Sequence, residues 1–158
     1  MKNLSKLEAV LWSIALPGFS QLLMGQLWKG TLFVALEFII NIYSHFNSAI
    51  MLSFTGEINS AINVLNYQWL MFYPCLYMFA MWDAYRSAMP KDEQLSFLPF
   101  VFSAYFITVG LMYSTKLTLF GVLVGPVFLP MIFVIPGLIT GFFIRWILLK
   151  WRRNAVQN

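Results

Sequence analysis

A single cysteine, a single histidine and very few charges rule out most chemistry before any motif is sought. Cys75 alone excludes an internal disulfide and any zinc site built on cysteine, and its place in an apolar run reads as a small, buried hydrophobe. His45 alone excludes bis-histidine haem ligation, an HExxH site and a histidine-rich metal centre. No GxSxG, P-loop or GxGxxG fingerprint occurs. An intramembrane acid pair would have to be built from Glu37 and Asp83. The sequence implies no cofactor and no metal, and enzyme is the weakest of the function classes.

Charge is the next scarcity. Charged residues are 10% of the 158, whereas a soluble domain carries about 25%, and 60% of the chain is hydrophobic. A globule with so few charges cannot clothe itself in polar surface, so the apolar excess must face lipid. The net charge of +4 does not point to nucleic acid, because the basic residues form no face and stand beside apolar runs. The expected class is an all-α integral membrane protein of one domain, residues 1–158.

Along the chain, residues 4–16 form a helical pattern of only ~20 Å, too short for a hydrocarbon core of about 30 Å. Pro17 lacks a donor, Gly18 permits a sharp turn, and another short apolar segment follows. Residues 1–26 are therefore expected to form a re-entrant or interfacial helical hairpin, and the N-terminus is read as retained rather than cleaved. Four transmembrane helices are expected after it, over 27–54, 67–88, 95–113 and 119–149. The polar stretch between the first two leaves room for a short surface helix. Pro90-Lys91-Asp92-Glu93-Gln94 reads as a loop and the region of Lys116 as a short turn. In the fourth span, Pro126, Pro130 and Pro136-Gly137 predict a kink or unwound turn.

Loop charges set the orientation. With the hairpin not crossing, Lys2, Lys6, Lys29, Arg86, Lys91, Lys150, Arg152 and Arg153 fall on one side and Lys116 on the other. Positive-inside then places both termini in the cytoplasm. Tyr67, Trp69, Trp146 and Trp151 stand at span ends, where interfacial aromatics belong.

The first span carries Glu37, Asn41, Ser44, His45 and Ser48 at spacings that share one helix face. Counted from Lys29, Glu37 lies roughly 12 Å deep and His45 roughly 24 Å. A carboxylate left facing lipid costs at least ~2.5–3.5 kcal/mol, so the stripe must turn inward. Asp83, Arg86 and Arg145 come to a similar inner level, which predicts that Glu37 pairs with Arg86 or Arg145. Three uses of the stripe stay open: interhelical hydrogen bonding, a proton or ion path through Glu37 and His45, and contact with another membrane subunit or a second copy.

The run Leu16-Pro17-Gly18-Phe19-Ser20-Gln21-Leu22, followed by Gly25-Gln26 and Lys29-Gly30, resembles the P-G-x-G-Q-x-Y-x-G-q-x-x-K-G signature of small, uncharacterised bacterial membrane proteins near the TM2-like group. The matching positions are Pro17, Gly18, Gln21, Gly25, Lys29 and Gly30. Ser20 stands where the signature has its second glycine, and Leu23 where it has tyrosine. The resemblance covers roughly the first ninety residues. It implies the bacterial plasma membrane and an interfacial turn at Pro17-Gly18, and it implies no activity. The composite expectation is a non-catalytic accessory or scaffold subunit surrounded by the lipid bilayer. The alternative is a small oligomeric transporter or channel using the Glu37 and His45 face.

Overall fold

In the computed structural model, which describes residues 4–89 and 93–157, the chain is almost entirely helical. Helix α1 (Lys6–Ala15) starts at a reciprocal cap: Ser5 Oγ accepts from the Glu8 amide while Glu8 Oε2 accepts from the Ser5 amide. Pro17 and Gly18 separate it from α2 (Phe19–Leu23), so the expected helix–break–helix is present. Then follow α3 (Leu27–Ser44), α4 (Phe46–Phe54), α5 (Ile58–Val64), α6 (Tyr67–Leu70), α7 (Tyr73–Ser87) and α8 (Leu98–Tyr113). A small antiparallel ribbon, β1 (Thr118–Leu119) and β2 (Val122–Leu123), precedes α9 (Gly125–Gln157).

Several expected boundaries move. Residues 27–54 are two helices, not one, because His45 adopts φ 57 and turns the chain between α3 and α4. The second segment is likewise divided into α6 and α7. The fourth begins at Gly125 rather than 119, since Phe120 and Gly121 both take positive φ and close a two-residue hairpin instead. Of the expected loop at 90–94, Pro90, Lys91 and Asp92 lie outside the described residues, as does Lys2.

The prolines of α9 unwind nothing. Pro126 occupies the first turn, where its missing donor is not needed, while Pro130 and Pro136 each forfeit one bond within a continuous helix of 33 residues. That helix, over Gly125–Asn154, is long and apolar enough to cross a membrane, and among the described residues no other passes the same test of length and composition; α8 is a shorter apolar helix.

The most extensive packing joins α8 to α9, and glycine makes it close. A Cβ at Gly137 would stand 2.6 Å from Ser103 Cα, and one at Gly141 would stand 2.4 Å from Pro99 Cα. Gly110 meets Phe133 and Pro130 in the same seam. The second layer is α7, with α1 across one face through fully buried Ala9, Ala80 and Ala84. Helix α2 lies on the start of α3, and α4 and α5 close against α9.

Candidate functional site

The motif turn is built first by local rules. Gly25 takes φ 80 just past α2; the Gln26 amide donates to the Gln21 carbonyl at 2.8 Å and the Gly25 amide to Leu22 at 3.0 Å. Those two bonds form a left-handed helix stop that glycine adopts without strain. Gly18, at φ +97, has no room for a side chain either, because a Cβ there would meet the Gly30 carbonyl oxygen at 2.5 Å. Gly18 and Gly30 therefore let α2 cross α3 at backbone distance. Ser20 replaces the signature's glycine with a stitch: its Oγ donates to the Ala9 carbonyl at 2.6 Å and accepts from Ser13 Oγ at 3.1 Å.

The remaining motif residues converge on one acid. Gln21 is fully buried, and its Nε2 donates to the Ala80 carbonyl at 2.8 Å and to Asp83 Oδ2 at 3.2 Å. Lys29 Nζ donates to Asp83 Oδ1 at 2.9 Å. The signature is thus a clamp that seats the hairpin on α7. Asp83 belongs to it rather than to Glu37, and no facing acid pair exists between the two.

Glu37 does point inward, as expected, but its partner is different. Tyr73 donates its hydroxyl to Glu37 Oε1 at 2.9 Å, and Glu37 Oε2 has no hydrogen-bond partner among the described residues. The arginines are elsewhere. Arg145 Nη2 donates to Glu93 Oε2 at 3.3 Å and its Nε to the Gln94 carbonyl. Arg86 is exposed and lies over the Trp82 ring at 5.5 Å. Depth alone put Glu37 and the arginines together; side-chain register on three separate helices keeps them apart.

The stripe itself is divided by the turn at His45. Asn41 Oδ1 accepts from the Asn47 amide at 3.1 Å, serving the start of α4, and the Ser44 carbonyl accepts from the Asn66 amide. His45 and Ser48 are exposed. A continuous Glu37–His45 face is therefore not formed. Cys75 is also exposed, contrary to its expected burial.

Tyr73 gives the first test. Tyr73→Phe strips Glu37 of its donor and is expected to cost about 1–3 kcal/mol, the penalty of a buried acceptor left unmade. Glu37→Leu combined with Tyr73→Phe removes both polar partners, and the pair is expected to recover most of that loss. Thermal unfolding in detergent decides it, and strictly additive losses would mean the residues are uncoupled.

A second cluster stands on the α7–α8 connection. Glu93 takes donors from Lys6, from Arg145 and, at 3.2 Å, from the Tyr85 hydroxyl. The Lys6 bond, then that of Arg145, holds the Glu93 carboxyl below its ordinary range, and the same bond raises the Lys6 ammonium. This cluster lies at one end of a cavity of about 820 Å³ lined by α1, α4 and α7 on one side and by α8 and α9 on the other. Its wall is overwhelmingly apolar, with Phe54, Val127 and Leu111 toward one end and Tyr85, Ser96 and Arg145 at the other. Nothing in the sequence flagged Lys6, Tyr85 and Glu93 as neighbours, since 87 positions separate the first from the last.

No protein-family model, curated protein or solved structure matches the chain. Among the described residues no three His, Cys, Asp or Glu side chains gather where a metal could sit.

Proposed function

We propose that this is a multi-pass membrane protein without catalytic activity, an accessory or scaffold subunit whose interior is arranged to hold apolar partners. The observation that carries the reading is the sorting of side chains along the molecule. Phe38, Ile42, Ile139, Phe142 and Phe143 are exposed on α3 and α9, a surface that water would penalise and lipid would not. The ion pairs Lys29–Asp83, Lys6–Glu93 and Arg145–Glu93 instead collect at one end of the helices. Four crossings then follow from α3 with α4, α6 with α7, α8, and α9, with the α1–α2 hairpin lying in or on the inner leaflet. In that arrangement both termini are cytoplasmic, in the plasma membrane of a bacterium as the motif's resemblance implies.

A transporter or channel is the second reading, and one feature favours it: the buried, half-satisfied carboxyl of Glu37. It has lost its other half, because His45 stands outside the bundle. Threading is tested by single-cysteine labelling in a Cys75→Ser background. A cysteine at Glu57 is expected to react with an impermeant maleimide from outside, and one at Arg153 only after permeabilisation. Labelling of both from the same side would end the four-crossing arrangement.

A further inference from the structure

The cavity between the two helix layers has a length and a polarity, and together they bear on its occupant. Along α9 it runs from Pro126 to Arg145, which at 1.5 Å per residue is ~28 Å, close to the ~30 Å of a bilayer's hydrocarbon core. An extended hydrocarbon chain, one carbon wide, can lie along a slot of that length. A volume of this size also lies within the ~300–1,000 Å³ usual for small-molecule sites.

Polarity then orients the chain. The Pro126 end offers only apolar side chains, and the Arg145 end offers Tyr85, Ser96 and Arg145. Immediately beyond stand Lys6 and Glu93, and among the described residues of this cluster two cations, Lys6 and Arg145, face one carboxylate. Arg145 directs Nε and Nη2 to Gln94 and Glu93, and its Nη1 has no partner among the described residues. Glu93 gathers Lys6, Arg145 and Tyr85 to one point, so the groups an anionic headgroup would meet there are the Lys6 ammonium and the Arg145 Nη1.

We propose that this crevice holds an acyl chain of an anionic phospholipid, with the phosphate beside Arg145 and Lys6 and the tail running toward Pro126. Membrane residence is presupposed, and it stands or falls by the cysteine-labelling pattern, whereas lipid retention is read separately in the detergent-solubilised protein. The experiment is native mass spectrometry of the full chain exposed to equimolar phosphatidylglycerol and phosphatidylcholine of the same acyl length. The wild type is expected to retain one phosphatidylglycerol, preferred over phosphatidylcholine by roughly fivefold for each basic residue engaged. Arg145→Gln is expected to keep a lipid adduct while losing about fivefold of that preference. Val134→Trp fills the crevice from α9 and is expected to lose both adducts. If circular dichroism shows that Val134→Trp does not fold, the lipid ratio in Arg145→Gln and in Lys6→Gln decides alone. Equal retention of the two lipids by the wild type would overturn the proposal, as would full retention in a folded Val134→Trp. So would a second protein chain that co-purifies in equal amount and is released by Val134→Trp.

Discussion

Gly141→Leu is expected to separate α8 from α9 and to be among the most damaging single substitutions in the chain. The position of Gly141 leaves no alternative: a Cβ there would sit 2.4 Å from Pro99 Cα and 2.8 Å from the Leu98 carbonyl oxygen. Both atoms are backbone, so no rotamer change can make room. Overpacking a well-fitted core typically costs about 1–3 kcal/mol, and a contact that displaces a whole helix belongs at or above the top of that range. Gly137→Leu, against Ser103 Cα at 2.6 Å, is expected to behave the same way. The spacing of the two glycines, with three residues between, is the small-residue pattern that lets membrane helices approach closely, where van der Waals contact rather than the hydrophobic effect holds them. Ile139→Leu, on the exposed face of the same helix, serves as the control and is expected to change stability by less than about 0.5 kcal/mol. Equal melting temperatures for Gly141→Leu and Ile139→Leu would show that the seam does not depend on glycine.

The helical class and the hairpin at Pro17-Gly18 were legible in the sequence because both are local matters. Long apolar runs with few turn residues between them read as helices, and a proline beside a glycine can break a helix wherever it falls. The stop at Gly25 is local too, since only the six residues from Gln21 to Gln26 are needed to close its two bonds. The turn at His45 was not legible. LEFIINIYSHFNS holds neither glycine nor proline, and histidine is only one of several residues enriched at positive φ. Cys75 shows a different failure: in a chain clothed with apolar side chains, apolarity no longer implies burial. The pairing of charges failed for a third reason. Depth along a helix is set by counting residues, but the direction of each side chain around its axis depends on how neighbouring helices are rotated. Depth thus brought Glu37, Arg86 and Arg145 to one level, and rotation gave Tyr73 to Glu37 and Glu93 to Arg145.

The clamp on Asp83 yields an ordering that a simple count of ion pairs would reverse. Asp83 has two partners, the charged Lys29 and the neutral Gln21, and the charged one is expected to matter less. The Lys29 side chain is half exposed, at 52%, so water can replace the acid when the pair is broken. Exposed pairs of that kind contribute about 0.2–1 kcal/mol. Gln21 is fully buried and serves both the Ala80 carbonyl and the Asp83 carboxylate. Gln21→Ala removes both bonds, leaves two acceptors short of a donor and opens a void, for an expected loss of about 2–3 kcal/mol. Lys29→Ala is expected to cost under about 1 kcal/mol. The two single variants, Asp83→Ala and the Gln21→Ala/Asp83→Ala double variant complete a cycle read by thermal unfolding in detergent. A coupling between Gln21 and Asp83 within the ~0.5–3 kcal/mol usual for contacting residues is expected. A Lys29→Ala loss larger than that of Gln21→Ala would mean that the hairpin is held to α7 by the surface charge and not by the buried amide.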